Sequence, residues 1–155
     1  MDLDHAYTVA VEWQGNRGTG TSGYKDYGRQ TILRVEGKPD LLASADRAFF
    51  GDRDRWNPED LLVASLSECH LLSYLHAAQR AGVVVEAYTD AATGTMRQDG
   101  DGGRFTEVVL HPHVTISAGD PELAQSLHEE AARMCFIAAS VNFPVLHEPT
   151  VSVLE

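Results

Sequence analysis

The chain has 155 residues, 43% of them hydrophobic and 23% charged, which suits one globular domain with a real core and excludes disordered, collagen-like and coiled-coil architectures. Twelve Lys and Arg stand against 23 Asp and Glu, a net charge of −11 that repels phosphate backbones and anionic membranes and argues against nucleic-acid or membrane partners. Only two cysteines occur, Cys69 and Cys135, too few for a disulfide scaffold or a CxxC zinc site within the chain.

The opening Met-Asp-Leu-Asp-His lacks the basic and apolar regions of a signal peptide, and no stretch of about 18 residues is free of charge. The expectation is a cytoplasmic protein whose thiols rest reduced.

Tyr7, Val9, Val11 and Trp13 alternate with Ala6, Thr8, Ala10 and Glu12, the period of a strand with one buried face. Gln30 to Glu36 is rich in β-formers, so residues 6–36 read as antiparallel strands joined by glycine turns. Residues 37–56 read as an irregular connection with a helical turn around Leu41 to Ala48. Asn57-Pro58-Glu59-Asp60 combines an N-cap, a first-turn proline and two carboxylates that suit the helix dipole, which predicts a helix running to Gly82. Its apolar and small residues cover most of the circumference, from Leu61 and Leu62 through Leu66, Cys69, Leu72, Tyr74 and Leu75 to Ala78. A helix of roughly 25 residues, about 37 Å long, that is apolar nearly all round calls for cover from a second subunit.

Val83 to Met96 reads as a strand, and residues 97–103 as a hairpin loop. On the return strand Val108, Leu110, Val114 and Ile116 share one face, with Glu107, His111 and His113 opposite. Asp120-Pro121-Glu122 opens a second helix, which carries Leu123, Leu127, Ala131, Met134 or Cys135, and Ala138 on one side and ends at Asn142-Phe143-Pro144. Thr150 to Leu154 is a last strand. Strands, helix, hairpin, helix and strand make an α+β fold, residues 1–155 forming a single domain.

Three constellations could carry chemistry. Gly18-Thr19-Gly20-Thr21-Ser22-Gly23 matches G-x-G-x-x-G, but Tyr24 to Leu33 read as turn and strand rather than the helix whose N-terminus would bind a pyrophosphate. His111 and His113 are half a metal site, joined by no third ligand at ligand spacing, although His147-Glu148 could approach in space. The cysteines are open to two readings: small apolar residues packed on helix faces, or a redox pair brought within disulfide range by two packed helices.

Asn57-Pro58-Glu59-Asp60-Leu61-Leu62 followed by Ala64-Ser65-Leu66-Ser67-Glu68-Cys69 resembles the helix signature of the OsmC/Ohr family, the osmotically inducible and organic hydroperoxide resistance proteins. There the Glu of the helix start precedes a peroxide-attacking cysteine by ten residues, as Glu59 precedes Cys69 here. Cys135 matches the family's second cysteine in order, and Arg17 its arginine in the glycine-rich loop after the first strand. Arg29, Arg34, Arg53 and Arg55 are rivals to Arg17.

The resemblance implies an OsmC-like intertwined α+β homodimer and a thiol-dependent peroxidase with Cys69, Cys135, Arg17 and Glu59 as catalytic residues. No cofactor and no metal are implied. The thiolate of Cys69 would open the O–O bond of an organic hydroperoxide, Cys135 would resolve the sulfenic acid to a disulfide, and a dithiol would reduce it. Cys69 lies too deep in its helix for the dipole to help, so the guanidinium of Arg17 would hold the thiolate and Glu59 would orient the arginine.

Ten helical residues separate Glu59 from Cys69 by about 15 Å along the axis and about 80° around it, so each site is expected to take Glu59, and with it Arg17, from the other subunit. A non-catalytic dimer binding an apolar ligand and a peroxide-responsive redox sensor remain as alternatives.

Overall fold

The computed structural model describes residues 3–155; the first two residues of the expected 1–155 domain lie outside the described residues. The chain divides into two compact units, Met1–Leu61 and Leu62–Glu155.

The first unit is a three-stranded antiparallel sheet of β1 (Ala10–Trp13), β2 (Thr31–Arg34) and β3 (Leu41–Ala43), in that order. β1 pairs with β2 from Ala10 opposite Arg34 to Trp13 opposite Thr31. The segment expected to be an irregular connection is thus partly strand, and its helical turn falls later, at Arg47–Phe49, where the Asp46 carboxylate accepts from Ala48 N. The alternating face of β1 is not buried within this chain: Tyr7, Val9, Val11 and Trp13 are all exposed. The glycine-rich loop forms turns and bends with no helix after it.

α1 (Pro58–Arg80) starts in the first unit and continues through the second. Asn57 Oδ1 accepts from Asp60 N at 2.8 Å, satisfying one donor that a helix start leaves unpaired. The helix ends where the sequence places the stop. Gly82 takes φ 74°, Gly82 N reaches Gln79 O and Val83 N reaches Ala78 O at 2.9 Å, a Schellman motif that a residue with a Cβ would strain.

The rest of the second unit holds β4 (Val84–Asp90), β5 (Thr93–Asp99), β6 (Gly102–Leu110), β7 (Pro112–Ala118), α2 (Pro121–Met134), β8 (Val145–His147) and β9 (Thr150–Val153). The single strand expected over 83–96 is broken at Ala91-Ala92, and the return strand at His111. The strands sort into two sheets, β4-β7-β9 and β5-β6-β8. Within each the hairpin partners are antiparallel, while β8 and β9 add parallel to β6 and β7. Asp90 sits at both breaks, its carboxylate accepting from His111 N at 2.7 Å and from Ser67 Oγ of α1 at 2.5 Å. Burial still alternates across the break through Val108, Leu110, Pro112, Val114 and Ile116, so one apolar stripe serves two sheets.

Two apolar clusters result. Leu66 packs with Val108 and Leu110, and Tyr74, Ala77 and Ala78 pack with Val114, Ile116 and the Ala124, Leu127 and Ala131 face of α2. Each fully buried leucine or isoleucine contributes about 1.5–3 kcal/mol. Successive turns of α1 thus serve both sheets, which fixes the side chains at 66–70 between them.

Candidate functional site

Cys69 follows Leu66 and Ser67 on α1, three residues beyond a side chain with no exposure and two beyond the one tied to Asp90. It is half-buried, and Cys135 is buried at 1% exposure. Both are free thiols, and Cys69 is close enough to Cys135 to act on its titration. Burial first, and then the neighbouring Cys69 thiol, pushes the Cys135 thiol up to about 11.

Cys135 is not on a helix, contrary to the periodicity. α2 stops at Met134, and Cys135 is its C-cap with extended backbone at φ −75°, ψ 106°. The chain then turns, with Ala139 N on Cys135 O at 3.1 Å and Ala138 N donating to Cys135 Sγ at 3.4 Å. The residues expected to extend the helix form a short 3-10 turn, Ala138–Ser140, whose Ala138 packs with Ile137, Phe143 and Val145 against the Leu66 cluster. Packing outweighed local helix propensity here.

In the first unit, Arg17 is exposed and spends one Nη on Lys25 O at 3.3 Å. Asn16 Oδ1 shapes its loop by accepting from Gly18 N and Gly20 N. Three rival arginines are engaged. Arg29 stacks on Tyr27 at 3.9 Å and Tyr24 at 4.7 Å while donating to their carbonyls, and Arg34 pairs with Glu12 and Asp40. Arg55 donates to Thr31 O at 3.4 Å. Hydrogen bonds from Ser44 and Gln30, with the nearby charges of Arg55 and Arg17, hold the Asp52 carboxyl below the usual range. Glu59 has one carboxylate oxygen, Oε2, that is buried with no partner among the described residues. An apolar cavity of about 460 Å³, lined by Val11, Trp13, Leu33 and Leu61 among others, opens in the same unit.

Sequence reasoning missed a buried imidazole cluster. His70 Nε2 lies 3.0 Å from His128 Nδ1, the rings stacked at 8°, with His147 stacked on His70 at 5.6 Å. Tyr74 covers His128 at a ring separation of 4.1 Å and donates to Ala124 O. Burial, reinforced by the neighbouring imidazoles, drives His70 down to about 4 and His128 to about 3, so both are neutral at pH 7. The available signal was positional: His70 lies one turn after Leu66 and one before Tyr74, and His128 lies between Ala124 and Ala131 on the apolar face of α2.

The other histidines point elsewhere. His111 Nε2 is 3.5 Å from Glu148 and His113 Nδ1 is 2.8 Å from Thr150 Oγ1, and among the described residues no three His, Cys, Asp or Glu side chains cluster to hold a metal. No helix among the described residues is long and apolar enough to cross a membrane.

A cavity of about 300 Å³ reaches this region, lined by Cys135, His70, His147, Arg133, Leu66, Leu110 and Val145 among others. Two adjacent free thiols, one of them half-buried, can be oxidised together to a disulfide.

The family model for OsmC-like proteins matches residues 51–149. No curated protein matches the sequence. Among solved structures, an OsmC-like protein of unknown function from Vibrio cholerae O1 is 29% identical, with a TM-score of 0.82 over 94% of this chain and 99% of that one. An organic hydroperoxide resistance protein from Elizabethkingia anophelis is 22% identical, with a TM-score of 0.68 over 98% and 100% of the two chains. A Legionella pneumophila protein described as an organic hydroperoxide resistance protein and a redox protein is 20% identical, with a TM-score of 0.66 over 96% and 99%. These likenesses accord with the α+β fold of the chain.

Proposed function

Because the chain belongs to the OsmC-like protein family, we propose that it is a thiol-dependent peroxidase that reduces organic hydroperoxides, residues 1–155 acting as one OsmC-like domain in a homodimer. The observation that carries this reading is the pair of neighbouring free thiols, Cys69 half-buried and Cys135 buried. The names of the Elizabethkingia and Legionella relatives support the substrate class.

In this mechanism the Cys69 thiolate attacks the outer peroxide oxygen, the O–O bond breaks, and the alkoxide leaves and takes up a proton. The sulfenic acid on Cys69 condenses with the Cys135 thiol, releasing water and forming the disulfide, which a dithiol reduces. Because Cys135 holds its proton up to about 11, it stays a thiol while Cys69 attacks, which separates attacking from resolving sulfur.

The cation that stabilises the Cys69 thiolate is Arg17, oriented by Glu59, both from the other protomer. The buried, unpartnered oxygen of Glu59 supports this: a carboxylate left so would cost several kcal/mol, about 3 or more, without a donor. Arg17, with most of its fork free, is a donor of the right shape. A dimer structure in which Glu59 lies more than about 10 Å from Cys69 of both chains overturns this part of the mechanism.

Stopped-flow addition of cumene hydroperoxide to the reduced protein tests the whole reading. We expect fast loss of two thiols per chain, sustained turnover with a dithiol, and neither in C69S. No thiol loss means a binding protein instead, and rapid oxidation without turnover means a redox sensor.

A further inference from the structure

The hairpin of β5 and β6 carries an unneutralised pair of charges on its outer face. Arg97 of β5 stands directly opposite Arg104 of β6 in the antiparallel register, and like charges so placed weaken a hairpin. Both are exposed, and neither guanidinium makes a hydrogen bond or ion pair among the described residues. Arg17, Arg29, Arg34 and Arg55 differ, each being tied to a carbonyl or a carboxylate. The chain has 23 carboxylate side chains for 12 basic ones, so counter-charges are in ample supply, yet here the fold leaves two cations side by side.

A β-bulge sets this arrangement. Thr95 pairs with Glu107 and Met96 with Phe105, so Thr106 is an extra residue without a partner across the ladder. The bulge lets Phe105 pack, with Val63, against the Leu66 cluster, which puts its neighbour Arg104 on the opposite, outer face beside Arg97. A recess of about 360 Å³ opens there, lined by Arg97, Arg104, Asp99, Thr106 and Gly103, within the size range of small-molecule sites. Gly103 keeps its wall bare, since a Cβ there would lie 2.8 Å from Arg97 O. Asp99 forms no ion pair with either arginine among the described residues, so its carboxylate is free to accept.

We infer that this recess binds a small phosphate monoester that carries hydroxyl groups. A phosphoryl group bears roughly 1.5 to 2 negative charges at pH 7 and offers three terminal oxygens, which two guanidinium forks can hold together. A single carboxylate would neutralise only one of the two arginines. Asp99 repels a bare anion but accepts from hydroxyl groups, so it favours a hydroxylated ester over inorganic phosphate. The hydroxyl of Thr106 donates to Thr95 O at 3.1 Å, which leaves its lone pairs as a further acceptor. The net charge of −11 repels anionic lipid surfaces, so the phosphate belongs to a soluble molecule. Cys69, Cys135, Arg17 and Glu59 do not line the recess, and the inference is independent of the peroxidase reading.

The test titrates glycerol phosphate, inorganic phosphate and glycerol into the reduced protein at constant ionic strength and follows the amide NMR shifts of residues 97–106. We expect saturable shifts with glycerol phosphate, weaker binding of inorganic phosphate, and none of glycerol. R97Q and R104Q should each weaken glycerol phosphate roughly threefold or more, as loss of an exposed charge pair does. D99N should bring the two phosphates to equal affinity. Without ligand, R104Q should melt no lower than the wild type, because its substitution removes a repulsion; an arginine with a merely structural role would lower the midpoint. Shifts that stay linear with concentration, dissociation constants unchanged in R97Q and R104Q, or a lowered midpoint in R104Q overturn the site. Inorganic phosphate binding the wild type as tightly as glycerol phosphate overturns the hydroxylated class of ligand.

Discussion

Cys135 and Cys69 differ in setting by one feature of the backbone. Cys69 is carried on a regular helix and is half-buried, whereas Cys135 caps α2, is buried, and accepts from Ala138 N. The two should therefore fail differently. C135S is expected to react with one equivalent of peroxide and stop, with a sulfenic acid on Cys69 that dimedone labels and mass spectrometry detects. The buried imidazoles supply a pH prediction. Unfolded, His70 and His128 titrate near 6.5; in the fold burial depresses them to about 4 and about 3. Below pH 6.5 the unfolded chain takes up protons that the folded chain refuses. Stability is therefore level above about 6.5 and falls as the pH drops toward 4, by up to about 1.4 kcal/mol per pH unit for each imidazole. Denaturant unfolding at pH 7 and pH 5 measures this, and H128F should flatten the slope. The cysteines were legible because spacing and residue type carry them. The imidazole cluster was not, since nothing local says that His70, His128 and His147 meet.

At the scale of elements, the two helix starts and the stop of α1 were the most legible features because they are local chemistry. Asn57 and Asp120 cap the two helices, and Gly82 terminates the first. Replacing Asn57 by Ala removes the bond to Asp60 N and should cost about 1 kcal/mol, read as a lower denaturation midpoint. The end of α2 was not legible, because the apolar periodicity runs on through Ala138 while the chain turns at Cys135 to pack Ile137, Ala138 and Phe143 into the Leu66 cluster. Nor were the strand breaks at Ala91-Ala92 and His111, where the side chain of Asp90 gathers donors from two distant segments. β8 escaped notice altogether: three residues joined in parallel to β6 have no period of their own to detect.

For the whole molecule, the apolar helix raises the matter of its cover. The second unit covers Leu66, Tyr74, Ala77 and Ala78, yet Leu72 remains 58% exposed and Leu75 is exposed beside it. In the first unit the outer face of β1 is exposed as well. In the proposed homodimer these surfaces are the ones to cover, and the same assembly would complete the site at Cys69 with Arg17 and Glu59. L72E should shift the sedimentation profile toward monomer. Because the site is then incomplete, peroxide turnover should fall with it while the far-ultraviolet circular dichroism stays unchanged.

The sequence by itself determined the α+β order, both helix starts, the cysteine pair and the resemblance from Asn57 to Cys69, because capping, periodicity and spacing act over a few residues. Tertiary structure alone decided that Cys135 leaves its helix and comes near Cys69, that one apolar stripe serves two sheets, and that the buried, neutral His70 lines a cavity beside Cys135. Those outcomes depend on which distant groups share a buried volume, where packing and desolvation outweigh local preference.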